Sequence, residues 1–511
     1  MEDSRSKNNK RIAKNTFLLY FRMLFIMAIS LYTSRVVLHE LGVRDFGIYN
    51  VVGGVVAMFT ILSGSLSSSI SRFLNIELGR NDRNGLKEVF VSSVNIQLFL
   101  SILVLLLAES VGVWFLNVKM SIDASRLYAA NWVLQCSIVT FVVNLLNLPY
   151  YAAILAHERM KAYAYISIFE AMMKLLIVLL LPYLTCDKLI SYSILLCSVA
   201  IVLRFVYQIY CRRHFEECVY LFSFNAGRLK EMASFAGWNF IGVSSSVLKD
   251  QGVNIAINLF CGVTVNAARA VSVQVNNAIN SFVSNFMMAL NPQITKLYAA
   301  GSYDYMKSLM QIGARLSFYL LLFFSLPVLI ETELILSCWL GTVPEYSVVF
   351  VRLILILAMS EALSGTLMTA MLATGKIWNY QIVVGGLQML NFPISYLLLK
   401  YGFSPEITMV VAVCISQCCL LARLFFLRRA LNLSVSYYLC HVVGNVFVVS
   451  LLAIVVPLLF FMNMEPGFFR FGMVCCTSVV CILLTIYWVG CSGDERSVVK
   501  DKCVLLVRKY I

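Results

Sequence analysis

Apolar stretches of roughly 19 to 30 residues, separated by short polar turns, fill nearly the whole chain. Fourteen can be marked, at about 16–38, 47–74, 89–116, 127–156, 162–185, 189–210, 233–260, 265–290, 312–330, 347–372, 377–399, 407–427, 436–461 and 468–490. A helix rises ~1.5 Å per residue, so each is long enough for a hydrocarbon core of ~30 Å. The pattern predicts an all-α integral membrane protein with fourteen transmembrane helices. Pro149 and Pro327 fall near span ends, and Pro393 and Pro457 inside spans. Such breaks are tolerated where a neighbouring helix or water satisfies the freed carbonyl. The first stretch follows a basic segment, but it exceeds the ~7–15-residue apolar core of a signal peptide and lacks a small-residue cleavage site. It counts as a span.

Charge orients the helices. With the amino terminus inside and alternate turns on opposite sides, 24 of the 40 Lys and Arg fall in inside segments and six outside: Arg44, Lys119, Arg126, Lys188, Lys400 and Arg470. The other ten lie within or at the ends of the spans. Inside loops carry the Lys/Arg excess in membrane proteins, so both termini are expected in the cytoplasm. The net charge of +14 would point to nucleic acid in a soluble protein, but 60% hydrophobic residues, 13% charged residues and a mean hydropathy of +0.83 exclude that class. Here the cations read as topology and as attraction to anionic lipid headgroups. The 16 cysteines are scattered and show no C-x₂-C pair with a His partner, so no metal site, cofactor or disulfide framework is expected.

The spans divide into two sets of six. Gly42 closes the first outside turn and Gly262 the fourth, 220 positions apart, and the span ends nearly coincide at that offset. Six is even, so the halves share one orientation and form parallel repeats, an arrangement transporters use with the substrate path between repeats. The expected organisation is a six-helix bundle over 1–210, a cytoplasmic amphipathic linker over 211–232 and a second bundle over 233–430. Helices thirteen and fourteen with a cytoplasmic tail would occupy 431–511.

Leu41-Gly42-Val43-Arg44-Asp45-Phe46-Gly47-Ile48-Tyr49 resembles the LG-x-x-x-[YF]-G-x-[YF] turn between the first two spans of Wzx-type polysaccharide flippases. Pro149 to Ala164 (PYYAAILAHERMKAYA) resembles the segment joining spans four and five in the same family. That family is a branch of the multidrug/oligosaccharidyl-lipid/polysaccharide exporter superfamily. The resemblance covers the first half well and the second through architecture alone. It implies a bacterial inner-membrane transporter that flips undecaprenyl-pyrophosphate-linked oligosaccharide to the periplasmic leaflet for O-antigen, lipopolysaccharide or capsule synthesis. It also implies alternating access through a cationic cavity, and partners among membrane lipids, a polysaccharide polymerase and assembly proteins, with no nucleic acid.

An ionised group at the bilayer centre costs roughly 2.5–3.5 kcal/mol on insertion scales, so embedded charges are candidates by default. Arg72, Arg204, Arg315, Arg352 and Arg423 lie near span ends, where long side chains can snorkel to the headgroups. Arg22, Arg35, Lys249 and Arg269 remain as candidate substrate-binding groups. Span seven carries a polar stripe, Asn239, Ser246, Asp250, Asn254 and Asn258, and span eight a second, Arg269, Ser272, Asn276, Asn280 and Ser284. Span two has a milder one, Thr60, Ser63, Ser67 and Ser71. Such stripes either line a hydrated cavity or glue helices together. Taken as cavity lining, Asn276 and Asn280 join the candidate cations. Asp250, and then Glu170 with Lys174 four residues on, are candidates for ion coupling, because a desolvated carboxyl can take up a proton. Arg offers a planar fork for phosphate oxygens, so this set favours an anionic substrate.

Three functional classes compete, the flippase first. A multidrug or cation antiporter of the same superfamily is the alternative, but spans one and two contain no Asp or Glu. A membrane enzyme needs a catalytic cluster. His39, His157, His214 and His441 are isolated, and the longest outside loops hold no His. No catalytic residue is expected. The topology has a direct test: side-sensitive reporter fusions should place Arg83, Arg159, Arg213 and Lys376 inside and Lys119 and Lys188 outside. A periplasmic carboxyl terminus would break the fourteen-span reading.

Overall fold

The computed structural model describes residues 2–57, 60–118, 124–183, 185–220, 225–340, 343–491, 493 and 495–496. Lys119, Leu221, Phe224 and the expected tail beyond Arg496 lie outside the described residues. Every regular element among the described residues is helical. The chain divides into two compact units, Met1–Ser244 with Met288–Ser302, and Ser245–Met287 with Tyr303–Ile511. The first unit extends past the 211–232 connection to Ser244, and the residues after 430 belong to the second unit.

The first unit holds α1 (Glu2–Ala57), α2 (Thr60–Arg80), α3 (Arg83–Leu107), α4 (Val113–Val118), α5 (Ala124–Ala156), α6 (Met160–Leu180) and α7 (Lys188–His214), with both ends of α8 (Ala226–Ala299). The second holds the middle of α8, then α9 (Tyr303–Ile330), α10 (Thr332–Leu340), α11 (Ser347–Thr374), α12 (Trp378–Met389), α13 (Asn391–Lys400) and α14 (Ile407–Leu431). It closes with α15 (Val435–Tyr438), α16 (Asn445–Asn463) and α17 (Phe468–Thr485). In the first unit α5 packs on α7, and α1 on α6; in the second α11 packs on α9 and α14. Each unit has its own apolar core. Val52, Leu116, Ala130, Val133 and Leu181 are fully enclosed in one, and Leu321, Val351 and Leu355 in the other. Large apolar side chains such as Phe99, Leu106, Leu451 and Trp488 are at least half exposed, as lipid-facing surfaces require.

Eleven described helices are long and apolar enough to cross a membrane, which makes this a multi-pass membrane protein. They match eleven of the fourteen stretches. The other three, spans two, seven and eight, also fall on helix: the end of α1 with α2, and the two arms of α8.

Two glycines bend the long helices. Gly42 in α1 has φ 74°, ψ 166°, and Gly262 in α8 has φ 82°, ψ −179°. That corner of conformational space is essentially open only to glycine. The two positions singled out by the 220-residue offset thus adopt the same backbone geometry. Pro393 is also placed by backbone logic. The stretch at 377–399 is interrupted after Met389, and Pro393 sits in the first turn of α13, where its missing N–H has no helical partner to lose.

Ion pairs close the helix ends. Arg126 is shared by Asp45 and Asp187, with Nη1 2.5 Å from Asp187 Oδ2, so one guanidinium joins three turns. Burial pushes the Asp187 carboxyl up, but Arg126 and the backbone N–H groups of Ile190 and Leu189 outweigh it and hold the group below the usual carboxylate range. Lys188 pairs with Glu40 at 2.9 Å, and Arg470 grips the enclosed Glu331 through two bonds of 2.7 and 2.8 Å. Three of the six cations on the cation-poor side are therefore neutralised locally. At the opposite end, Glu158 accepts from Lys296 Nζ at 2.7 Å and from Gln293. Gly79 there lets α2 approach the last turn of α8, where a Cβ would meet the Lys296 carbonyl at 2.7 Å.

Gly42→Ala and Gly262→Ala should each destabilise the protein by about 1–3 kcal/mol, the cost of a side chain in that backbone region. Gly386→Ala, in an open position within α12, should be neutral or mildly stabilising. Thermal unfolding in detergent, followed by the monodisperse fraction, measures all three. Equal melting temperatures for the three variants would contradict the assignment.

Candidate functional site

In the first unit, Arg22 of α1 and Ser167 and Tyr163 of α6 meet. The guanidinium lies 4.5 Å over the Tyr163 ring, and Nη1 donates to Ser167 Oγ at 3.3 Å. They line a recess of about 350 Å³ with Thr33, Tyr151, Tyr207 and the Glu170–Lys174 pair. That pair is closed at 2.6 Å, one helical turn apart on α6, with both side chains partly exposed. A second recess, of about 570 Å³, reaches the same pair from the side of Tyr49, Thr140, Asn144 and Tyr192. Arg22 and Lys174 against Glu170 leave one excess formal positive charge.

In the second unit, Lys249 of α8 is nearly enclosed and lies between two carboxylates. Its Nζ is 3.3 Å from Glu361 Oε1 of α11 and 3.8 Å from Asp250 Oδ1. Lys249 and Glu361 line a recess of about 250 Å³ with Ser246, Gln388, Ser416 and Arg423. Arg423 Nε donates to the Tyr380 hydroxyl at 3.2 Å. Across the Gly262 bend, Arg269 donates to Asn254 and is buried, and Asp250 is within electrostatic range of it. Lys249, Arg269 and Arg423 against Asp250 and Glu361 again leave one positive charge in excess.

The candidates chosen from sequence therefore fall into separate groups. Arg22 and Glu170 share one recess, and Lys249 and Asp250 are neighbours in the other unit. Asn276 and Asn280 bond to one another at 3.0 Å, half-buried on α8. Arg35 is exposed and lines none of the three recesses. Glu361, Arg423 and the tyrosines join these recesses only through the packing of distant helices. Arg423 lies near a span end, as snorkelling requires, yet it and the other four arginines of that group are all engaged by protein. Arg72 lies 4.7 Å over both Phe73 and Phe235, and Arg204 4.4 Å over Tyr150. Arg315 reaches Glu495, and Arg352 reaches the Leu329 carbonyl. The stripes also split in role. Ser65 and Ser69 of α2, which lie outside its Thr60–Ser63–Ser67–Ser71 stripe, donate to the Ala236 and Met232 carbonyls, and Asn239 of the α8 stripe donates back to the Ser65 carbonyl, so these residues bind helix to helix. Among the described residues no group of three or more His, Cys, Asp or Glu is gathered for a metal ion.

No family model matches the chain. It is 23% identical over 330 residues to the uncharacterized membrane protein EpsK of Bacillus subtilis (strain 168), an alignment covering 63% of each chain. The chain thus spans less than two thirds of that relative's length. Solved structures settle the architecture. An outward-facing multidrug resistance MATE family transporter of the MOP superfamily superposes with a TM-score of 0.73 at 10% identity, covering 83% of this chain and 96% of that one. The fold is that of the MATE transporters. A MATE in complex with MaD3S gives 0.71 at 11% identity, over 83% of this chain and 97% of that one. A Pyrococcus furiosus MOP superfamily transporter gives 0.68 at 10%, over 82% and 96%; it is described by a binding pocket of reverse polarity that suggests a different function. Within the MATE-like fold of this chain, the arms of α1 and α8 on either side of their glycine bends supply Arg22, Lys249 and Arg269.

Lys249→Ala would leave Asp250 and Glu361 without their nearest cation. Since both carboxylates are partly solvated, the loss should be about 1–3 kcal/mol. Adding Glu361→Gln removes the stranded charge and should restore at least half of it. Identical melting temperatures for the single and double variants would show that the pair contributes nothing to stability.

Proposed function

We propose that this protein is a transporter that carries an undecaprenyl-pyrophosphate-linked oligosaccharide from the cytoplasmic to the periplasmic leaflet of a bacterial inner membrane, for a surface polysaccharide such as O-antigen or capsule. It would do so as fourteen spans in two parallel six-helix halves plus a final pair, with both termini cytoplasmic. The fold likeness supports a transporter architecture. The observation that carries the substrate class is charge: in each unit the embedded cations outnumber the embedded carboxylates. Arg22 is the clearest case, an arginine held by a tyrosine face and a serine hydroxyl at the wall of a recess.

A guanidinium presents a planar fork to phosphate oxygens, and an arginine–phosphate contact is charge-assisted and bidentate. Several dispersed cations suit transport better than one tight site, because the substrate must also leave. The cation-antiporter reading is weaker on the same ground. Lys249 already lies against both Asp250 and Glu361, where an incoming cation would need an open carboxylate.

Arg22→Glu and Arg269→Glu should each reduce surface glycan at least tenfold in a flippase-deficient strain that makes the cognate glycan, with the protein still inserted at normal levels. Arg→Lys should be tolerated better than Arg→Gln. Wild-type glycan export by both glutamate variants would refute the cationic pathway.

A further inference from the structure

The polar space of the first unit is larger than a phosphate needs, and its chemistry changes with distance from Arg22. Two recesses, of about 350 and 570 Å³, meet at the Glu170–Lys174 pair. Each presents an edge-to-face tyrosine pair: Tyr151 and Tyr163, with ring centroids 5.4 Å apart, beside Arg22, and Tyr49 and Tyr192, 5.2 Å apart, on the far side. Resting on the flippase reading, we propose that this double recess binds the sugar part of the lipid-linked substrate. The first sugar would lie in the Arg22 recess and the following sugars in the Tyr49–Tyr192 recess.

The argument is one of matching. A pyranose offers apolar C–H faces and a rim of hydroxyls that both donate and accept. Tyrosine pairs supply amphipathic ring surface. The partly exposed Glu170–Lys174 pair supplies an acceptor and a donor side by side, closed at 2.6 Å and neutral as a unit. A neutral pair is poorly suited to holding a net cation or a net anion, but it can exchange partners with neutral hydroxyls while each charge stays compensated. Thr140 and Asn144 continue the polar wall in the far recess, where the only charged lining residues are Glu170 and Lys174. The volumes lie at the small end of the ~300–1,000 Å³ range of ligand pockets, which suits one or two sugar rings per recess. The recesses also explain why α6 keeps a charged pair among apolar neighbours: the pair faces polar space from both sides. Polarity then runs along the substrate, phosphate at Arg22 and neutral sugars beyond it.

The test separates the sugar from the phosphate. In a flippase-deficient host, the wild-type chain is offered two substrates: the complete lipid-linked repeat unit, and the single-sugar intermediate that accumulates when the second glycosyltransferase is deleted. Exposure of each is read with a lectin added outside spheroplasts. Tyr49→Ala and Asn144→Ala should lower the ratio of repeat-unit to single-sugar export about tenfold, the effect of losing roughly 1.4 kcal/mol of contact. Tyr49→Phe should hold the ratio near wild type, and Arg22→Ala should lower both exports in proportion. All variants are compared at equal, monodisperse protein levels. An unchanged ratio in Tyr49→Ala and Asn144→Ala overturns the sugar assignment while leaving the flippase reading intact. Equal loss of both exports in Glu170→Gln, with loss of dependence on an imposed proton gradient, overturns it in favour of ion coupling at Glu170. Failure of the wild-type chain to expose either substrate overturns the flippase reading itself.

Discussion

A cation inside a bilayer must be compensated where it stands, and the structure follows from that constraint. Water is absent from the hydrocarbon core, and an uncompensated charge there costs several kcal/mol. The embedded arginines meet it with aromatic faces, carbonyls, hydroxyls and a few carboxylates. Arg72 lies over Phe73 and Phe235, Arg204 over Tyr150, Arg352 reaches a backbone carbonyl, and Arg423 reaches Tyr380. A cation over a ring face is stabilised by the ring quadrupole without spending a carboxylate on it. Arg22 is met in the same way, by the Tyr163 ring and the Ser167 hydroxyl, Arg269 donates to Asn254, and Lys249 is matched by two acids.

The same economy shapes the helix ends. On the cation-poor side Arg126, Lys188 and Arg470 are locked to Asp45, Asp187, Glu40 and Glu331. On the other side, Glu158 and Gly79 hold the last turns of α8 against the first unit, one by charge and one by the absence of a side chain. Glu158 is held in a left-handed backbone conformation, φ 56°, in the turn between α5 and α6 that leads to the Tyr163–Ser167 wall.

Polar stripes have no single meaning here, and the difference is geometric. Ser65, Ser69 and Asn239 use their hydrogen bonds on carbonyls of a facing helix, which joins α2 to the start of α8. Further along α8, past Ser244, Asp250 and Asn254 instead meet the charges of Lys249 and Arg269. One helix therefore carries packing polarity at one end and charge-bearing polarity in its middle, where Lys249 and Asp250 enter.

The sequence alone determined the membrane class, the helical architecture, most span positions and the glycine bends, because each depends on local properties: length, hydropathy and permitted backbone angles. Gly42 and Gly262 could be paired across 220 positions because only glycine tolerates that bend. Arg22 and Lys249 stood out because a charge in an apolar run is visible without knowing its neighbours. Tertiary structure decided the rest. Glu361 lies 112 positions from Lys249, Ser167 lies 145 from Arg22, and the tyrosines of the two recesses come from several helices, so no spacing announces them. Arg423 read as a snorkelling side chain because depth along a span is a one-dimensional quantity. Whether a long side chain turns toward the headgroups or toward Tyr380 depends on which helix stands beside it, and that is fixed only when the bundle packs.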